Sequence, residues 1–241
     1  KNSCKFTLYN LKVYFAMSDP IDVLQKYWGH AAFRFPQEDI IKSVLEGKDT
    51  LALLPTGGGK SVCFQVPALM KPGICIVVSP LLALISDQIQ NLAKKNIKAL
   101  TISGGLSIYY INDLLDNLLF GDYKFLYLSP EKLQVDWIFE RLKKLPISLI
   151  AIDEAHCISQ WGYDFRPAYT SLKHLKENFS QIPIIALTAS ATDKVQQDII
   201  EQLQLKQVNV IKKSFTRDNL AYFIIPFQDK LHKIQQILTK N

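Results

Sequence analysis

Short runs of β-branched and apolar residues alternate along this chain with longer stretches in which apolar positions recur at helical spacing. The runs predict strands buried on both faces, at 50–54, 74–79, 99–102, 125–129, 149–153, 184–188 and 208–211. Between them, helical periodicity covers 36–46, 60–70, 81–96, 107–119, 131–144, 167–178 and 193–203. Such alternation is the pattern of βαβ units, so the expected fold class is α/β, a mostly parallel sheet with helices on both faces. One doubly wound domain over 17–219 accounts for nearly the whole chain. After Leu220 the pattern changes: 221–225 reads as one more strand before Pro226 and 230–240 as a helix, so 220–241 reads as the start of a second, truncated lobe. Near the other end, Met17 precedes Ser18, Asp19 and Pro20, a helix-start signal with Ser or Asp as N-cap and Pro in the first turn. Met17 is thus a candidate natural start, with 1–16 an upstream extension of unassigned status.

Composition narrows the picture. The 241 residues suit one large domain or one and a half at roughly 100–200 residues per domain, and 48% hydrophobic against 21% charged supports a packed core. With 28 Lys+Arg and 22 Asp+Glu the net charge is +6, which favours an anionic partner, a mild lysine excess on a solvated surface being the plainer reading. The lysine clusters at 94–98, 143–144 and 212–213 read as such solvated faces. The longest apolar stretch, 74–85, is broken by Ser79 and Pro80 and falls short of the roughly 18 residues of a membrane span, so a soluble protein with no membrane partner is expected. Cys4, Cys63, Cys75 and Cys157 are scattered, with no CxxC pair and no histidine at zinc spacing; a reduced cytoplasmic setting fits and a zinc site does not. Residues 1–16 lack the apolar core and small-residue cleavage site of a signal peptide.

The chemistry concentrates at strand ends. After the apolar run ending at Leu54 comes Pro55-Thr56-Gly57-Gly58-Gly59-Lys60-Ser61. Three glycines let the backbone turn tightly with its amides inward, and the helix start that follows adds its positive end, so the loop is a cradle for a polyphosphate. Lys60 is placed to reach the β and γ phosphates and the Ser61 hydroxyl to ligate Mg²⁺. The strict GxxxxGK[ST] pattern has glycine where this chain has Leu54; TGxGK[ST] is the variant of helicase-type ATPases. A Gly-rich turn that merely carries a lysine is the bland alternative. The strand run through 148–152 ends in Asp153-Glu154-Ala155-His156, which puts two carboxylates at the carboxyl end of a strand, where ligands bind in such sheets. There Asp153 can hold Mg²⁺ while Glu154 orients and deprotonates the water that attacks the γ phosphate.

The run from Asp153 to Pro167, DEAHCISQWGYDFRP, resembles motif II and the aromatic-rich loop of RecQ DNA helicases, superfamily 2 motors built on RecA-like P-loop NTPase lobes. Residues 54–61 resemble motif I, Ser79-Pro80-Leu81 with Asp87-Gln88 motif Ia, Ser129-Pro130-Glu131 motif Ib, and 186–191 motif III, so the resemblance spans about 21–219. It implies an adenine site at Phe33-Arg34-Phe35-Pro36-Gln37, in which the Gln37 carboxamide pairs with the adenine edge and Arg34 packs on the base. His30 stands where the family usually has Tyr, and Pro36 falls one place later than in the commoner arrangement. In the aromatic-rich loop, Trp161 and Phe165 can stack on bases without sequence preference, each stack worth ~1–3 kcal/mol, with Arg166 adding phosphate or cation–π contact. Tyr163 replaces the family's usual His. By the same resemblance His156 bridges the carboxylates to motif III, where Thr188 and Ser190 link nucleotide state to lobe movement.

The resemblance implies an ATP- and Mg²⁺-dependent 3′–5′ DNA helicase acting on single-stranded and partly duplex DNA in repair or recombination. It also implies a cytoplasmic location, nucleoid-associated if bacterial. A second motor lobe in a longer gene product is expected to supply arginine fingers, worth roughly 10³–10⁵ in turnover in comparable enzymes. This chain alone is therefore expected to bind ATP·Mg weakly and to hydrolyse it slowly without separating strands. Three alternatives remain at this point: an RNA helicase of the related DEAD-box type, a non-catalytic nucleic-acid-binding fragment, and, more remotely, a small-molecule P-loop kinase.

Overall fold

The computed structural model describes residues 19–102, 104–161, 164–214 and 230–239. The candidate start at Met17 and Ser18, Gly162 and Tyr163 of the aromatic-rich loop, and the strand expected at 221–225 lie outside the described residues. Seven strands form one sheet: β1 (Thr50–Leu53), β2 (Ile74–Val78), β3 (Lys98–Thr101), β4 (Tyr123–Leu128), β5 (Ile147–Ile152), β6 (Ile184–Thr188) and β7 (Asn209–Lys212), in the order β3-β4-β2-β5-β6-β1-β7. Every pairing is parallel. Each interior strand is buried along nearly its whole length, which is why apolar runs rather than alternating patterns mark them.

Successive strand residues point to opposite faces and so feed two cores. Ile76, Val78, Leu126, Ile150, Ile152 and Leu53 lie on one side, under α5 (Ile108–Phe120), α6 (Pro130–Leu133), α7 (Asp136–Leu142), α8 (Lys173–Asn178) and α9 (Asp193–Gln202). Cys75, Val77, Phe125, Ala151, Ala52 and Leu187 lie on the other, under α2 (Gln37–Leu45), α3 (Lys60–Met70) and α4 (Leu82–Ala93). A further helix, α1 (Pro20–Trp28), packs outside this layer through Val23 against Ile41 and Val66. It starts as the sequence signals: Asp19 caps it by accepting from the Ile21 amide at 2.9 Å, and Pro20 fills the first position. The last described helix, α10 (Lys230–Leu238), buries none of its residues. Among the described residues, no helix is long and apolar enough to cross a membrane.

Two expected helices are not continuous. The segment 131–144 divides into α6 and α7 because Val135 is extended (φ −87°, ψ 105°), and Asp136 then opens a new helix with its carboxylate in the first turn, where the helix dipole favours it. The segment 167–178 begins as a 3₁₀ turn, Pro167–Leu172, and becomes helical only in α8. In that turn the Thr170 and Ser171 hydroxyls donate to the carbonyls of Pro167 and Ala168, each at 2.7 Å, the local competition by which such side chains disfavour an α-helix.

At the amino edge of the sheet a buried carboxylate organises three segments. Asp49 is 2% exposed; its Oδ1 accepts from Lys176 Nζ at 2.8 Å and the Ile184 amide at 2.9 Å, and its Oδ2 accepts from the Lys206 amide at 2.7 Å. At the same edge, on β4, Lys124 Nζ donates to Gly73 O at 2.8 Å and to Lys71 O, closing the end of α3, and burial pulls its pKa down to about 8. Removing one partner of a buried pair strands the other charge. Lys176→Met is therefore expected to cost about 3–5 kcal/mol, read as a lower urea midpoint at unchanged slope.

Candidate nucleotide site and aromatic loop

Parallel strands send all their outgoing loops to one edge, and the expected chemistry gathers there. The loop after β1 places Gly57 (φ +77°) and Gly59 (φ +76°) in the left-handed region, which only glycine occupies freely. Space demands glycine as well: a Cβ on Gly58 would lie 2.7 Å from Pro55 O, and one on Gly59 would lie 2.3 Å from Gln37 Nε2. The loop runs into α3 at Lys60, with no side chain capping the helix start, so the first-turn amides and the dipole remain for an anionic ligand. A bare cradle that side chains would fill, followed by Lys60 and Ser61, fits a nucleotide polyphosphate with its cation. Thr56 is exposed and Ser61 half-buried at the mouth of this turn.

Gln37 and Arg34 hold the loop from outside. Gln37 is 4% exposed; its Nε2 donates to Gly58 O and Gly59 O, both at 3.2 Å, and its Oε1 accepts from the Arg34 amide at 2.9 Å. Arg34 Nη1 donates to Gly57 O at 3.3 Å. The carboxamide thus meets the loop carbonyls here, and a base edge would have to compete with them. Beside it opens a cavity of about 350 Å³ lined by His30, Arg34, Gln37 and Gly59 together with Leu24 and Val62. Its apolar wall was not foreseen, although the regular spacing of α1 and the glycine turn at Gly29 (φ +69°) that swings the chain toward the loop could have indicated it.

The carboxylates sit opposite. Lys60 Nζ and Glu154 Oε1 are 2.9 Å apart, an ion pair joining the ends of β1 and β5 across the intervening β6. Glu154 is itself left-handed (φ +47°, ψ 47°), a conformation that costs a non-glycine residue of order 1–3 kcal/mol and that aims its carboxylate at the phosphate loop. Asp153 is 7% exposed and accepts from the Glu154 amide at 3.0 Å. Burial, reinforced by the Glu154 charge and opposed by Lys60, raises its pKa above the ordinary carboxylate value. Tyr169, fully buried, donates to Asp153 O at 3.0 Å and fixes the strand end from below.

His156 joins these groups to β6. Its Nδ1 lies 2.9 Å from Thr188 Oγ1 and 3.4 Å from Glu154 Oε2, while its Nε2 lies 3.6 Å from Asp164 Oδ2. Thr188 donates to Ser190 O and accepts from the Ser190 amide, both at 3.2 Å, which leaves Nδ1 as the donor toward the hydroxyl. Polar contacts thus run from Glu154 through His156 to Thr188 and Ser190.

The aromatic-rich loop follows on the same edge. Trp161 is 65% exposed, and Lys194 Nζ lies 3.0 Å from the centroid of its ring. Ser159 anchors the loop to α9, accepting from the Trp161 amide at 3.2 Å and donating to Asp198 at 2.7 Å. Phe165 is half-buried. Arg166 donates through Nη1 to Pro80 O at 2.9 Å, tying the loop to the segment after β2. Lys194, Asp198 and the Pro80 tie were not read from the sequence, since a lysine and an aspartate on a helix surface carry no mark of what faces them. The edge thus holds a nucleotide site and an exposed aromatic loop joined through Glu154, His156 and Asp164.

This geometry defines a class, and the comparisons agree. The DEAD/DEAH box helicase family profile matches residues 34–199, and the chain belongs to that family. Within it, the chain fits the first motor lobe of a RecQ-family helicase: it is 44% identical over 216 residues to "Probable ATP-dependent DNA helicase RecS" of Bacillus subtilis (strain 168) and 41% identical over 217 residues to "ATP-dependent DNA helicase RecQ" of Pasteurella multocida (strain Pm70). These alignments cover 89% and 90% of this chain but 43% and 34% of those relatives, so the chain spans less than half of their length. Among solved structures, that of the DUF1998 helicase MrfA aligns over 92% of the chain and 36% of its own, with a TM-score of 0.68 at 18% identity, and Mss116, a DEAD-box helicase bound to ssRNA, over 75% and 40%, with 0.60 at 18%. At that identity the likeness is one of fold, and it bears out the α/β fold class with its mostly parallel sheet.

The raised pKa of Asp153 has a sign that can be measured. The folded chain binds this proton more tightly than the unfolded chain does, so the stability it contributes is present below the ordinary carboxylate value and lost as pH rises through the folded one. Above its folded value the ionised Asp153 destabilises the unliganded protein relative to the protonated form. Asp153→Asn is expected to melt higher than the parent at pH 7, with the difference shrinking as the pH falls toward 4, in thermal melts without nucleotide.

Proposed function

We propose that this chain is the ATP-binding lobe of a 3′–5′ DNA helicase motor of RecQ type, working with a second lobe in a longer cytoplasmic protein that acts on single-stranded and partly duplex DNA in repair or recombination. The observation that carries the reading is the Lys60–Glu154 ion pair, which brings a phosphate-reaching cation and a water-activating carboxylate to one point beside the glycine cradle.

In the resting site the two groups satisfy one another. A γ phosphate arriving in the cradle competes for Lys60, and Glu154 is released toward the water that must lose a proton. Ser61 and Asp153 are the residues that would hold Mg²⁺, whose charge offsets that of the phosphates. The adenine lies in the cavity of His30, Arg34 and Gln37, which touches the phosphate loop through three carbonyls. Since Gln37 supports the loop, base recognition and phosphate positioning are one event.

DNA is read through the exposed Trp161 and the half-buried Phe165, with Lys194 on the indole face supplying positive charge for a backbone. Asp164 of the same loop lies against His156, which in turn faces Glu154, so a strand that moves the loop alters the surroundings of the catalytic carboxylate.

Lys60→Ala is expected to lower ATP turnover by about 10²–10³-fold while the melting transition persists. Trp161→Ala is expected to weaken single-stranded DNA binding by an amount worth ~1–3 kcal/mol and to leave basal hydrolysis unchanged. Steady-state turnover of the full-length product with single-stranded DNA, with RNA and with neither decides the substrate. Stimulation by DNA alone supports the proposal, and equal stimulation by RNA, or by neither, overturns it.

A further inference from the structure

Gln65, Tyr127 and Gln88 form a polar cluster that the catalytic site does not use. Tyr127 is fully buried in β4, Gln65 is 5% exposed on α3, and Gln88 is half-buried on α4. The Tyr127 hydroxyl donates to Gln88 Oε1 at 2.9 Å, and Gln65 Nε2 lies 3.4 Å from that hydroxyl and 3.5 Å from Gln88 Oε1. The surrounding layer is apolar, with Phe64, Phe125, Cys63 and Ile85. Leucine or phenylalanine at these positions would fill such a layer with no polar group to desolvate, and satisfied buried hydrogen bonds return little net stability. What they do return is direction: a hydroxyl between two carboxamides fixes how two helices sit on a strand, where apolar side chains tolerate sliding.

The placement of the cluster gives that direction a use. Gln65 lies in the second turn of the helix that begins at Lys60, so a displacement of the phosphate loop reaches it through that helix. Gln88 lies on the helix that begins at Leu82, just after Pro80, whose carbonyl receives the Arg166 guanidinium of the aromatic loop. Among the described residues no other side-chain hydrogen bond joins α3 to α4. Tyr127 stands on the strand that runs out into Ser129 and Pro130, so the cluster touches the segments leading from or to three of the edge loops.

We propose that Gln65, Tyr127 and Gln88 are positioning residues that transmit the state of the phosphate loop to α4 and to the Pro80–Arg166 contact, so that nucleotide occupancy and the aromatic loop change together. The inference rests on the ATP-binding reading above. Besides this cluster, α3 and α4 share the apolar layer of the sheet face, where Cys63 and Phe64 belong to one core with Ile85 and Leu92 and, among the described residues, no hydrogen bond sets a register.

Amide hydrogen exchange on the full 241-residue chain, with and without Mg²⁺ and AMPPNP, tests it. In the parent, the nucleotide is expected to protect 57–62 and also to slow exchange across 82–93 by ~5-fold or more. Tyr127→Phe, which keeps the ring and removes only the hydroxyl, is expected to retain the loop protection and lose that of 82–93, and Gln88→Leu to do the same. A purely structural role would change exchange equally with and without nucleotide and leave the difference intact. Protection of 82–93 that survives both substitutions, or loop protection in the parent with none at 82–93, would overturn the inference and leave the ATP-binding reading standing. Absence of loop protection in the parent would overturn both.

Discussion

The ion pair of Lys60 with Glu154 joins residues 94 positions apart, and most features of the carboxyl edge exist to make it possible. Lys60 reaches it only because glycines turn the chain back on itself without side chains in the way. Glu154 reaches it only because its backbone takes up a left-handed conformation immediately after a buried strand. The neighbours then reinforce the geometry: Gln37 and Arg34 clamp the loop from one side, and His156 and Thr188 hold the carboxylate from the other. In the proposed function this is a pair that ligand binding breaks, because a phosphate competes with the Glu154 carboxylate for the Lys60 ammonium.

The strands and the two chemical motifs were legible because each rests on local composition. A strand covered on both faces must be apolar throughout, and a phosphate loop must be rich in glycine, so both leave a mark that needs no partner to interpret. The resemblance to RecQ helicases rested on the same local runs, and the family match and the relatives agree with it. What stayed hidden depends on pairs distant in sequence. Asp49 and Lys176 are 127 positions apart, and neither shows from its surroundings that it will be buried with the other. Gln65 and Tyr127 read singly as a polar residue on a helix and an aromatic in a strand, and Gln88, although placed in motif Ia, gave no sign that it would meet them. The breaks at Val135 and in the 3₁₀ turn from Pro167 were missed because the periodicity carries across them while the backbone does not.

Across the carboxyl edge, motifs that are separate in sequence are connected by side chains that donate to backbone carbonyls. Arg34 and Gln37 donate to the phosphate loop, Arg166 to Pro80, and Tyr169 to Asp153. Bonds of this kind depend on the position of the chain rather than on the identity of the accepting residue. They therefore register movements of the backbone, which is what changes when a loop closes on a ligand.

The two ends of the sheet are built differently. At the amino edge, the Asp49 carboxylate and the Lys124 ammonium are buried and satisfied by several segments at once. At the carboxyl edge are the left-handed Glu154, an Asp153 that resists ionisation, and Ser79, whose fully buried hydroxyl has no hydrogen-bond partner among the described residues. Buried charges are thus satisfied at one end, and the other carries the strained Glu154 and the unpaired Ser79 hydroxyl. A ligand arriving at the carboxyl edge therefore meets groups whose strain or burial it can relieve, whereas at the amino edge the buried charges are already satisfied.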